Sequence, residues 1–214
     1  MLYGDIPNWL KKLQRKIGWF SLPNLALYII VLQIFGFLTL QLRQDAIFNL
    51  FLIPELVLQG EFWRLFTFMA VPLSSGFWMI FVILFLYFVI NTLEKEWGEF
   101  YTTFYLFISV ALTIAFSFLF HMPITSFSFI ESTLFLAVAT MFPEYEILML
   151  FFPVKMKWMG FLTAAYIGYV FLTGEFLDKV YLILVFTNYF IFFGPAFIHK
   201  IKQTYRRKKF QNRG

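Results

Sequence analysis

Long apolar runs separated by short polar breaks organise this chain. A helix rises about 1.5 Å per residue and the hydrocarbon layer of a bilayer is roughly 30 Å thick, so one crossing takes about 20 apolar residues. Such runs fall at residues 23–41, 77–93, 101–120, 127–142, 159–173 and 180–197. The pattern predicts six crossing helices and an all-α membrane protein. Two shorter apolar stretches, 48–58 and 62–71, lie between the first two runs. Pro54, Glu55, Gly60, Glu61 and Arg64 interrupt them, so they read as interfacial or partly embedded pieces of a long loop. Residues 144–158 read as a surface loop. Pro143 ends one run, Pro153 breaks the short apolar stretch 147–152, and Lys155, Lys157 and Trp158 are interfacial residues.

Residues 1–19 follow a different pattern. Trp9, Leu10, Leu13 and Ile17 recur at helical spacing, while Lys11, Lys12, Arg15 and Lys16 take much of the remaining surface. That is the signature of an amphipathic helix lying in a membrane surface. It lacks the apolar core and small-residue end of a cleavable leader, so the first crossing helix is expected to direct its own insertion. The expected organisation is an amphipathic segment (1–20), a membrane domain (21–198) and a basic tail (199–214).

Composition agrees with this division. The chain is 61% hydrophobic and 14% charged, with 33 Phe, whereas soluble domains average about 45–50% apolar and 25% charged residues. The apolar surplus must face lipid. Cysteine is absent and only His121 and His199 represent histidine, so no disulfide framework, metal site or cofactor is expected.

Charge sets the expected orientation. Lys and Arg favour the cytoplasmic side in short loops. With six crossings, fourteen of the 17 Lys and Arg fall on one side, in the N-terminal segment, the loop with Lys95, the loop with Lys155 and Lys157, and the C-terminal tail. The other side holds Arg43, Arg64 and Lys179. Both chain ends are thus expected in the cytoplasm. The basic ends suit that anchoring role and offer a surface for anionic lipid or a cytosolic partner. Nucleic acid is not an expected partner.

Three local patterns carry a family resemblance. Gly60-Glu61-Phe62-Trp63-Arg64-Leu65-Phe66-Thr67 lies between the first two runs. Leu93-Glu94-Lys95-Glu96-Trp97-Gly98, with Phe100 and Tyr105, closes the second. The long loop 42–76 contains two half-spans. Together they resemble the rhomboid superfamily, including rhomboid proteases and derlins, over roughly residues 23–194. The resemblance implies a six-helix core with a membrane-embedded first loop, in which Trp63, Arg64, Glu94, Trp97 and Gly98 form the structural motifs. Gly18 with Pro23-Asn24, Phe142-Pro143-Glu144, residues 152–158 and residues 188–193 look more like bacterial rhomboid-like proteins of no assigned activity. That likeness implies a bacterial plasma membrane.

The chemistry of a rhomboid protease is not legible here. Such an enzyme uses a glycine-flanked serine in the fourth span and a histidine in the sixth, because a serine hydroxyl needs an adjacent base. This chain has no glycine between Glu99 and Met159, and residues 180–197 contain no histidine. Ser126 and Ser132 remain the candidates if a divergent protease survives. Glu131, Ser132 and Asn188 are the candidate functional polar residues within spans, and an ionisable group there invites a functional reading. Glu131 is alternatively expected to reach the interface or to pair with Arg64. Arg64 needs backbone carbonyls or one of Asp45, Glu55 and Glu61, and Glu94 should meet backbone N–H groups or a cation. Asn188, Thr187, Thr163 and Tyr166 are candidates for bonds between helices, and Ala164 and Gly168 for close packing. Three functions stay open: a non-catalytic rhomboid-like protein binding transmembrane segments of client proteins, a divergent intramembrane serine protease, and a small-solute transporter or channel.

Overall fold

The computed structural model describes residues 8–149 and 152–211, with side-chain surroundings described up to residue 194 apart from those at the hairpin tip. The first seven residues of the amphipathic segment, Arg213, and the side chains of His199 and the other basic residues after it lie outside that description.

Helix α1 (Asn8–Ile17) and a short 3-10 turn (Gly18–Phe20) precede α2 (Leu25–Leu42). The long loop then folds into a 3-10 segment (Gln44–Leu50), α3 (Pro54–Leu58), α4 (Arg64–Thr67) and a second 3-10 turn (Phe68–Ala70). Helices α5 (Trp78–Trp97), α6 (Glu99–Phe120) and α7 (Ser128–Met141) follow, then strands β1 (Glu146–Met149) and β2 (Phe152–Lys155), α8 (Met156–Thr173) and α9 (Phe176–Gln211). Four helical segments are long and apolar enough to cross a membrane: α2, α5, α6 and the Phe176–Gly194 part of α9. Helix α7 has 14 residues, which spans only about 21 Å.

Three elements differ from the hydropathy pattern. Residues 144–158 are not a plain loop. Strands β1 and β2 pair antiparallel, Glu146 opposite Lys155 and Ile147 opposite Val154, so the fold is helical with one added hairpin. Pro153, at Leu148 in that register, sits in a two-stranded ribbon, whose free edges tolerate the lost donor. Helix α8 starts at Met156 directly from β2, which places Lys157 and Trp158 in its first turn. Finally, α9 does not stop near residue 197. It runs 36 residues, carrying the basic stretch as helix, as the strong helix formers Lys, Arg and Gln allow.

Helix α6 lies at the centre. Its Tyr105, Leu106, Ser109, Thr113, Phe116 and Ser117 are all buried. Leu86, Ile90 and Leu93 of α5, Ile130 and Leu134 of α7, Ile29 of α2 and Val185 of α9 complete the main core. The outward faces are apolar and exposed, as Leu27, Val31, Phe35 and Leu38 of α2 show. Glycine permits close approach where helix meets loop. A Cβ on Gly36 would lie 1.6 Å from the Ala70 carbonyl oxygen. Gly160 of α8 likewise abuts Ala139 of α7. The Ala164–Gly168 spacing is not used that way, since both face outward and a Cβ on Gly168 would meet nothing.

Both ends of the described chain lie at one end of the bundle. Leu10 of α1 is fully buried against Phe100 and Tyr101 at the start of α6, and Tyr101 donates to Gln14 Oε1 at 2.6 Å. Phe192 and Phe193 of α9 pack against Trp97, at 5.5 and 5.4 Å between ring centroids. We call this the basic end, and the opposite one, which carries the long loop, the loop end.

Candidate functional site

At the loop end, Arg64 organises the long loop. It is 1% exposed. Its Nε donates to Glu61 Oε2 at 2.6 Å, and one terminal nitrogen donates to the carbonyls of Phe48 and Phe51 at 2.8 and 2.9 Å. Those carbonyls lie at the end of the Gln44–Leu50 segment and just beyond it, and Phe48 O also accepts the Phe51 N–H at 3.3 Å. The guanidinium also sits 5.6 Å from the Phe48 ring centroid. Of the three acids available, Glu61 is the partner. Glu55 instead meets His121 Nδ1 at 3.2 Å on the exposed surface, and Gln33 of α2 donates to the Met69 carbonyl at 2.7 Å, tying the loop to the bundle. Trp63, next to Arg64, is half exposed and faces outward.

The second motif closes the basic end. Glu94 Oε1 accepts the Leu25 backbone N–H at 2.7 Å, so the end of α5 satisfies one of the open donors at the start of α2. Trp97 stacks on Phe192 and meets Tyr105 and Phe193 at tilted angles. Gly98 joins α5 to α6 at φ +89°, a backbone state that side chains disfavour.

The serines are engaged locally. Ser126 Oγ accepts the Ser128 N–H at 3.1 Å and donates to Ser128 Oγ at 3.0 Å. Ser132 Oγ donates to the Ser128 carbonyl one turn back, at 2.8 Å. Glu131 sits in the first turn of α7, where the helix dipole favours a carboxylate. Residues one and two turns on, Leu134, Phe135 and Val138, are buried, and Phe135 meets Phe85 of α5 at 5.3 Å. Glu131 is therefore turned inward toward α5. The expected pairing with Arg64 does not form, because Arg64 is committed to Glu61 and two carbonyls.

Asn188 does bond between helices. Its Nδ2 donates to the Tyr105 carbonyl at 2.7 Å and to Ser109 Oγ at 2.8 Å, both on α6. Thr187 bonds the Ile183 carbonyl of its own helix instead, and Tyr166 is exposed. Sequence reasoning missed the partners on α6. Thr102, Ser109, Thr113 and Ser117 are all fully buried, and their spacing of seven, four and four residues puts them on one helix face. That periodicity is the signal that was available. Tyr105 completes the seam by donating to the Thr133 carbonyl of α7 at 3.1 Å.

At the surface before α8, Glu144 accepts from Lys157 Nζ at 2.7 Å and Lys155 Nζ at 2.9 Å. Those two ammonium groups hold its carboxyl below the ordinary carboxylate range. Trp158 is exposed beside them. No group of three metal-binding side chains forms among the described residues. Comparison of the chain with protein-family models, with curated proteins and with solved structures finds no match.

Proposed function

We propose that this chain is a non-catalytic rhomboid-like membrane protein that binds transmembrane segments of client proteins. In this reading α7 and α8 cross the bilayer together with the four longer apolar segments, giving six crossings with the basic end in the cytoplasm. Helix α7 and its flanking turns then sit in a locally thinned bilayer, as short spans do. The observation that carries the client-binding part is the exposure of α8. Of its 18 residues only Met156 and Gly160 are buried, while Phe161, Leu162, Tyr166, Tyr169 and Leu172 all face outward. Tyr166 and Tyr169 set hydroxyls on that surface, in a solvent that offers none of the hydrogen bonds they can make. A neighbouring helix with polar side chains supplies them.

Two features favour the rhomboid-like, non-catalytic form. Arg64 ties together the parts of the long loop, which Gln33 of α2 holds to the bundle, and the Ser126 and Ser132 hydroxyls bond within their own turn rather than to a base. The test is co-purification of single-span membrane proteins with the tagged full chain in mild detergent. Client recovery that falls when Tyr166 and Tyr169 are both changed to Phe supports the proposal. Recovery of no client, or labelling of Ser132 or Ser126 by a fluorophosphonate, sinks it.

A further inference from the structure

Helix α1 is docked by one face and charged on the other. Leu10 is fully buried, and Leu13 and Ile17 pack on the same cluster with Phe100 and Tyr101. The apolar stripe is therefore taken up by protein rather than by lipid. Lys11, Lys12, Arg15 and Lys16 fall on the opposite side of the helix, and all four are exposed. Lys11 with Arg15 and Lys12 with Lys16 are spaced four apart, where like charges repel. None of the four forms an ion pair or hydrogen bond with another described residue. The nearby acid Glu94 is committed to the Leu25 N–H. The counter-charge for this fixed cationic face has to come from outside the described chain.

The seat of α1 says which anion meets it. Gln14 is bonded to Tyr101, in the first turn of α6. The chain leaving α1 then runs along the side of α6, where Phe20 meets Phe107 at 5.0 Å and the Leu22 N–H donates to Thr103 Oγ1 at 3.1 Å. Helix α6 is apolar and long enough to cross a membrane, so α1 lies beside the bundle at the level where α6 enters the bilayer. Trp9 and Trp19 bracket the cations and are 45% and 83% exposed. Tryptophan favours the headgroup layer, whereas a face turned to the cytosol has no need of it. We infer that the outer face of α1 binds the phosphate headgroups of anionic lipids in the leaflet at the basic end. The protein thus carries a preformed anionic-lipid site, held rigid by its contacts with α6.

The inference rests on α6 crossing the bilayer and not on client binding, so failure of the co-purification test leaves it standing. The chain contains no cysteine, so a fluorophore attached to the full chain at Trp9→Cys reports on α1 alone. In nanodiscs it is quenched by phosphatidylglycerol or by phosphatidylcholine, each carrying the same nitroxide high on one acyl chain. Phosphatidylglycerol is expected to quench at a mole fraction at least about five-fold lower. The preference should vanish in 1 M salt, where the screening length falls to about 3 Å. It should also vanish in the Lys11→Gln/Lys12→Gln/Arg15→Gln/Lys16→Gln variant, which keeps good helix formers and removes no contact among the described residues. Equal quenching by the two lipids overturns the inference and leaves the face to an acidic cytosolic partner. A preference that survives in the four-fold variant overturns it as well, since its source then lies elsewhere in the chain. Loss of the preference on adding inorganic phosphate, but not chloride of equal ionic strength, shows a site for a soluble anion and overturns the lipid assignment.

Discussion

Single residues in this protein are decided by where their polar atoms end. Arg64 is tolerated at depth because Glu61 and two carbonyls surround it. Arg64→Met removes all three contacts and leaves the Glu61 carboxylate without its cation, which should cost about 3 kcal/mol. Denaturant titration in mild detergent would measure it, and Glu61→Gln, at a partly exposed acid, should cost clearly less. Glu144 gives a pH prediction. Its carboxyl lies below the ordinary value of 4.5 because Lys157 and Lys155 bond it. The stabilisation is complete above the unfolded pKa and is lost as pH falls through the folded one. The group is exposed, so its contribution to stability is small and salt-sensitive. NMR titration of the Glu144 carboxyl should show its midpoint rising toward 4.5 in the Lys155→Ala/Lys157→Ala variant. That Arg64 needed a carboxylate or carbonyls was legible in the sequence. Which acid it took was not, because Asp45, Glu55 and Glu61 share one loop and only the fold separates them.

Helices and strands were legible where their apolar runs were long. The four longest-standing spans appear within a few residues of their hydropathy limits, apart from the helical extension of α9 beyond its apolar part. The hairpin was hidden because runs of four to six apolar residues fit a strand or a buried helix turn equally well. Small-residue spacing was also ambiguous. It marks where close packing is possible, not which helix face turns inward. Gly36 and Gly160 meet neighbours while Gly168 meets none. Two substitutions separate these cases. Gly36→Ala drives a methyl into the Ala70 carbonyl and should destabilise by about 1–3 kcal/mol. Gly168→Ala should be neutral or stabilising by up to about 1 kcal/mol, since it restores helix propensity without a clash. Thermal unfolding of the two purified variants distinguishes them directly.

The whole molecule is a bundle whose two described ends share one side. Six crossings require that arrangement and an odd number forbids it. A reporter that fluoresces only in the cytoplasm should be active at either terminus, and a reporter active only outside should work when inserted at Gly76. Activity of the first reporter at one terminus alone would break the six-crossing count. The docking of α1 also has a consequence for synthesis. Gln14 finds Tyr101 across 87 residues of chain, so the first helix cannot reach its seat until those residues have been made. At roughly 5–20 residues per second, translation leaves it waiting on the order of 4–20 s. Throughout that interval the nascent apolar stripe that will cover Phe100 and Tyr101 has only the bilayer surface to rest on. Its Trp9 and flanking lysines therefore serve a transient tenancy during biogenesis as much as the finished protein.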